Sequence, residues 1–207
     1  MSTMEMIPPN VLLGVYSEGV FPMAEDGELL WFSPTMRGLI PLDERFHIPR
    51  GLKKSLRKKP FELRMDTVFR EVMDGCSDRE ETWIDPVIKD SYVELHKIGF
   101  AHSVECWDDE GLQGGLYGVK LGNVFFGESM FSRKTDASKI ALVHLVEWLR
   151  AEGGVLLDTQ WMTEHLKQFG GYEVPREVYV SLLEDALEPL FYGEDENLTS
   201  TENRTSG

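Results

Sequence analysis

The sequence predicts a mixed α/β fold: a small N-terminal α/β lobe, then a larger domain whose mixed sheet is flanked by helices. Three observations carry this. The chain has 207 residues, 42% of them hydrophobic, which is enough to bury a core in one domain plus a small lobe. Its apolar pattern switches repeatedly between strand alternation and helical spacing. Near the middle, three strand-like runs follow one another directly before a long helix.

Each element has its own signal. A short helix runs from Asn10, a capping residue type, to Glu18, with Gly19 as its stop. A turn through Phe21-Pro22 and Glu25-Asp26-Gly27 follows. Leu29 to Phe32 and Gly38 to Pro41 read as short strands. A helix covers Gly51 to Lys58, a strand Phe61 to Asp66, and a helix Val68 to Cys76. Asp85-Pro86 opens another helix, which Gly99 ends. Ala101–Asp108, Gly111–Leu121 and Asn123–Met130 form the meander. The long helix spans Ala137 to Glu152, and Val155 to Gln160 reads as a buried strand. Thr163 begins a short helix, and Pro175 opens the last one, to about Leu187. The expected division is a small lobe over 1–45, a catalytic domain over 46–192 and an acidic disordered tail over 193–207. The order of elements resembles the acyltransferase fold of the GNAT superfamily, which by itself implies no function.

Composition narrows the function. No apolar run reaches the roughly 20 residues of a spanning helix, and the first ten residues lack a signal-peptide pattern, so a cytoplasmic protein is expected. Cys76 and Cys106 form no metal or disulfide framework and read as reduced thiols. The net charge of -15 argues against nucleic acid, but Arg50, Lys53, Lys54, Arg57, Lys58 and Lys59 form a concentrated basic run. That run is either a solvated helix face or a phosphate track.

The chemistry-bearing candidates are few. In Leu156-Leu157-Asp158-Thr159-Gln160, strand alternation puts Asp158 and Gln160 on one face. An acid in an apolar strand needs partners. It either caps the next turn or takes part in chemistry, and the residues leave both readings open. In Phe125 to Ser132, Glu128 sits among aromatic and thioether side chains. It is either one outward carboxylate or the charged mouth of an apolar pocket. Trp83 ends a charged run and Trp31 lies in a short strand; each is either core or a stacking surface. No Gly-x-Ser-x-Gly, phosphate-binding Gly-Lys loop or His-Glu-x-x-His is present, and the five histidines are scattered. No metal and no cofactor are expected.

Several motifs occur in a fixed order: Gly19-Val-Phe-Pro22, Trp31-Phe-Ser-Pro34, Ser77-Asp-Arg-Glu-Glu-Thr-Trp-Ile84, Gly127-Glu-Ser-Met-Phe-Ser132, Leu157-Asp-Thr-Gln160, His165-Leu166 and Val174-Pro-Arg176. Together they resemble the bacterial leucyl/phenylalanyl-tRNA–protein transferases over most of the chain. The resemblance implies transfer of Leu or Phe (Met less well) from aminoacyl-tRNA to proteins with N-terminal Arg or Lys, marking them for N-degron degradation. It implies Asp158, Gln160 and Glu128 as the catalytic group. It implies an aminoacyl pocket of Leu116, Phe125, Met130, Ser132, Leu145 and Leu157, and an adenosine site of Trp83, Met23 and Trp31. Aminoacyl-tRNA is then a substrate, the basic run follows the tRNA backbone, and a monomer without membrane contact is expected. Met23 stands where many relatives have Trp, and Leu116 and Leu145 stand where some have larger residues. The rival is a CoA-dependent acetyltransferase. The loop Arg133 to Ser138, however, has no glycine to let the backbone approach a pyrophosphate.

Overall fold

The computed structural model of the protein describes residues 6–192. The expected acidic tail over 193–207 lies outside the described residues. The chain forms helix α1 (Pro9–Ser17), strands β1 (Phe21–Glu25), β2 (Glu28–Phe32) and β3 (Met36–Ile40), helix α2 (Arg50–Lys58), strand β4 (Glu62–Met65), and helices α3 (Phe69–Ser77) and α4 (Pro86–Lys97). Strands β5 (Ala101–Asp108), β6 (Gly111–Leu121) and β7 (Val124–Ser132) follow as the expected meander. Helix α5 (Ala137–Ala151), strand β8 (Leu156–Asp158), helix α6 (Glu164–Lys167), strand β9 (Tyr172–Pro175) and helix α7 (Arg176–Tyr192) complete it.

The fold class is the expected one. A seven-stranded mixed sheet has the order β4-β5-β6-β7-β8-β3-β9, and β1 pairs with β2 in a separate hairpin. Strand alternation divides the core in two. Leu156, Phe126 and Tyr117 face one layer, with Leu12 and Tyr16 of α1, Ile88 and Tyr92 of α4, and Tyr179 of α7. Leu157, Phe125 and Leu116 face the other, against Leu142, Leu145 and Leu149 of α5 and Leu52 of α2. Cys76 and Cys106 are buried free thiols, and burial pushes both up to about 12.

Four readings change. Phe21–Glu25, read as a turn, is a strand; Asp26 and Gly27 both have positive φ (51° and 80°), which makes the tight hairpin turn. Pro22 is tolerated there because the hairpin is only two strands wide. Strand β9 was missed because it is four residues long and ends at Pro175. Strand β3, placed in the small lobe, lies inside the large sheet between β8 and β9. Helix α1 starts at Pro9 without a side-chain cap, so Asn10 is helical rather than the cap.

Two irregularities open the sheet where the site lies. Strands β7 and β8 run parallel, paired only from Val124/Leu156 to Phe126/Asp158. Strand β7 then continues to Ser132 while β8 ends, so the two chains part. At the same level, β6 and β7 slip register between Tyr117 and Gly118: Gly118 pairs with Gly127 and Tyr117 with Ser129. Glu128 is therefore the extra residue of a β-bulge, a device that re-aims a side chain. The bulge depends on Gly118, whose missing Cβ would meet the Phe126 carbonyl and the Phe125 ring. Gly118→Ala is expected to lower stability by about 1–3 kcal/mol, since a backbone atom cannot yield. Urea unfolding measures this, and an unchanged midpoint contradicts it.

Candidate active site

The site begins with a buried ion pair. Asp158 ends β8 and has no exposed surface; Arg37 of β3 is 1% exposed. The Arg37 Nε–H donates to both Asp158 oxygens (2.9 and 3.0 Å), and its Nη2 donates to Oδ2 (2.6 Å). The Tyr179 hydroxyl of α7 donates to Oδ2 (2.7 Å), and the backbone N–H of Gln160 donates to Oδ1 (2.8 Å). Burial, then the Asp158 charge, pushes the Tyr179 hydroxyl up, so it remains a donor. Arg37 sends Nη1 to the Gly19 carbonyl (2.9 Å) and lies against the Phe21 and Tyr179 rings (4.8 and 4.5 Å). A charge buried this deeply is tolerable only when paired and fully hydrogen-bonded, and this one is.

The pair fixes Gln160. Strand β8 stops at Asp158, and Gln160 has φ +57°, a left-handed conformation. The two side chains therefore do not share a strand face as expected. Asp158 turns inward to Arg37, and Gln160 turns to Glu128, its Nε2 donating to Oε1 (3.0 Å). Thr159 N–H donates to the Gly38 carbonyl (2.9 Å) and Gly38 N–H to the Gln160 carbonyl (3.0 Å), which locks the turn onto β3. Any Cβ on Gly38 would stand 2.8 Å from the Met162 nitrogen and the Trp161 carbonyl carbon.

Glu128 is half-buried at the bulge. Its Oε1 also accepts from the Tyr16 hydroxyl (2.6 Å), and Oε2 accepts from Tyr92 (3.3 Å). Tyr16 and Tyr92 hydrogen-bond each other, and burial followed by the Glu128 charge pushes both hydroxyls well up. Burial pushes the Glu128 carboxyl up to about 8; the Tyr16 bond opposes this and the Asp158 charge adds to it.

A cavity of about 280 Å³ opens where β7 and β8 part. That is near the small end of ligand pockets, about 300–1,000 Å³. Leu116, Leu142, Leu145, Leu157 and Leu166 make its apolar end, with Met130. Glu128 and Gln160 stand in its wall, and Phe21, Met23, Trp83 and Trp161 line it too. Tyr117 and His165 also line it, and neither the Tyr117 hydroxyl nor His165 Nε2 has a partner among the described residues. Burial and the Lys139 charge lower the His165 pKa, favouring a neutral ring.

Most expected site residues converge, with particular exceptions. Asp158 lies behind the cavity wall rather than in it. Of the expected aminoacyl residues, Leu116, Met130, Leu145 and Leu157 line the cavity. Phe125 does not; it is fully buried in the core layer against α5. Ser132 is used elsewhere: its Oγ accepts from Ser138 N–H (2.8 Å) at the start of α5. Trp83 and Met23 line the cavity, whereas Trp31 points away on β2, 44% exposed. Arg50, Lys53, Lys54, Arg57, Lys58 and Lys59 are all exposed on or next to α2, and none joins an ion pair among the described residues. Leu52 and Ser55 anchor α2, the latter donating to Asp136 (2.7 Å). Sequence reading missed Arg37, Tyr16, Tyr179 and Trp161. Arg37 left a signal, a cation inside a short apolar strand that has to meet a buried acid.

The Glu128 shift has a stability consequence. A carboxyl raised from about 4.3 when unfolded to about 8 when folded stabilises the fold fully only below the lower value. That stability is lost as pH rises from there through 8. Glu128→Gln does not titrate, so its melting temperature relative to wild type is expected to rise between pH 5 and pH 8.5. A constant or falling difference contradicts the raised pKa.

Comparison with known proteins places this geometry. A family model described as leucyl/phenylalanyl-tRNA protein transferase matches residues 39–184, and one for that family's N-terminal domain matches residues 6–35. The chain is 61% identical over 189 residues to a leucyl/phenylalanyl-tRNA–protein transferase of Akkermansia muciniphila, covering 89% of this chain and 98% of that protein. It is 53% identical over 182 residues to one of Herpetosiphon aurantiacus, covering 88% and 95% respectively. Among solved structures it is similar to FemX, with a TM-score of 0.50 at 11% identity over 84% of this chain and 71% of that one. That likeness is one of fold alone.

Proposed function

Since the chain belongs to the leucyl/phenylalanyl-tRNA protein transferase family, we propose that it moves Leu or Phe to the α-amine of proteins that begin with Arg or Lys. As an aminoacyltransferase of that family, it takes its donor from aminoacyl-tRNA and passes it to protein acceptors. The finer roles below are our reading. One observation carries it: the apolar cavity ends on a hydrogen-bonded Glu128–Gln160 pair. An apolar donor side chain and a cationic, amine-bearing acceptor need those two features side by side.

The donor ester is already activated. The acceptor nitrogen attacks its carbonyl carbon, the C–N bond forms, and the C–O bond to the terminal ribose breaks. The amine proton ends on the departing ribose oxygen. Positioning and charge stabilisation then suffice for the enzyme. Gln160 gives its Nε2–H to Glu128, which leaves its carbonyl oxygen to accept the amine N–H. Asp158 acts through Gln160 and Arg37 rather than by touching the amine, because its oxygens are taken. The Glu128 carboxylate receives the guanidinium or ammonium of the acceptor's first residue.

Leu116, Met130, Leu145 and Leu157 receive the donor side chain. Such a wall rejects misfits only modestly, about 1–3 kcal/mol per methylene. Trp83 stacks on the terminal adenine, a contact worth about 1–3 kcal/mol per base. The exposed cations of Arg50 to Lys59 follow the phosphate backbone of the acceptor stem, a contact insensitive to base sequence. The modified proteins are then substrates for N-degron degradation in the cytoplasm.

The test is transfer of radiolabel from Leu-tRNA or Phe-tRNA to peptides differing only in their first residue. Label is expected on peptides beginning with Arg or Lys and not with Ala. Equal labelling of the Ala peptide contradicts the role given to Glu128.

A further inference from the structure

Trp161 has no role in the reading above, yet it occupies the cavity mouth. It directly follows Gln160 and is 43% exposed, although it lines the cavity. A lone exposed tryptophan is unremarkable on a surface. This one is held in a fixed plane. Its ring stands perpendicular to Phe21 (5.1 Å, 89°) and steeply inclined to Phe32 (6.1 Å, 70°). Its backbone N–H donates to the Thr159 carbonyl (2.7 Å). The segment that carries it is the turn closed onto Gly38, so backbone and ring are both positioned.

The surroundings make a strip. Phe21 and Met23 are two residues apart on β1 and both line the cavity, as alternation requires. Trp161 meets the strip at Phe21. Trp83 meets it near Met23, its backbone carbonyl accepting from the Ala24 N–H (3.1 Å). Two indoles thus bracket a thioether-lined mouth. A planar heterocycle is the chemistry such a mouth takes, because aromatic side chains stack on any base regardless of sequence. The apolar leucine end of the cavity lies inward, so a base at this mouth would belong to the group that brings in the apolar acyl chain.

We propose that Trp161 is a positioning residue for the donor, stacking on the terminal base of the aminoacyl-tRNA together with Trp83. The assignment rests on the function proposed above. It also gives the indole a specific consequence: it anchors the donor and leaves the acceptor untouched.

The test uses the full-length chain with Trp161→Ala and Trp161→Phe. KM is measured separately for Leu-tRNA, for a 3′-leucyl-adenosine donor, for the corresponding leucyl-ribose without a base, and for an Arg-first peptide. Trp161→Ala is expected to raise KM about tenfold or more for both base-bearing donors. It is expected to leave the base-free donor and the peptide within about twofold of wild type, in assays run at a temperature where the variant is fully folded. Trp161→Phe recovers most of the loss, since a smaller ring still stacks. A rise in peptide KM with donor KM unchanged would assign the indole to the acceptor and overturn the proposal. So would equal losses for donors with and without a base, which a purely structural wall would give. Failure of the wild-type chain to use any charged tRNA is a different result. It would overturn the function proposed above, and this assignment with it.

Discussion

Arg37 and Asp158 meet where three elements have to be held to one another. The bidentate pair, completed by Tyr179 and the Gln160 N–H, joins β3, β8 and α7, and through the Gly19 carbonyl reaches the chain just after α1. Removing one partner of such a pair costs about 3–5 kcal/mol, because the other charge is stranded. Replacing both by apolar residues costs far less. Stability alone therefore does not explain an ion pair here. What it supplies is direction: one Asp158 oxygen takes the N–H of a residue with positive φ, and that residue is Gln160. The Gln160 amide, to which we assign the acceptor amine, is aimed by a charge that lies behind the cavity wall.

The second constraint is backbone geometry around the cavity. Strand β8 stops after three residues and β7 continues, which opens space between two paired strands without unpairing either below that point. The bulge opposite Gly118 turns Glu128 out of the ladder and toward that space. Half-burial then raises its carboxyl, while Tyr16 and Tyr92 restrain the rise by donating to the charged form. The N-terminal segment contributes directly, since Tyr16 comes from α1 and Phe21 and Met23 from the hairpin.

Much of this was legible in the sequence, and the misses have physical causes. The meander, the long helix and the order of elements followed from periodicity, which burial on two faces enforces. Glu128, Gln160, Trp83 and the four apolar wall residues were named through the family resemblance, and the fold brings them to one cavity. The shared face of Asp158 and Gln160 was misread because a strand was extended two residues too far. Nothing in Thr159-Gln160 announces a left-handed residue; the Gln160 N–H bond to Asp158 and the two backbone bonds to Gly38, all contacts made by the fold, stabilise it. Arg37 and Tyr179 are distant in sequence and meet Asp158 only through the fold. The resemblance also implied Ser132 and Phe125 for the cavity; one accepts from the Ser138 N–H at the start of α5 and the other is fully buried outside the lining.

On the function proposed above, Asp158 works through its frame and not by contact with the amine. A double-mutant cycle on kcat/KM for transfer tests it most directly, with Arg37→Met, Asp158→Asn and the double variant compared at a temperature where all are folded. Strong coupling is expected: the double variant loses no more than a few-fold beyond the worse single one, because either change alone already releases Gln160. Losses that multiply would contradict it, since Asp158 would then contribute something to the reacting atoms that Arg37 does not share.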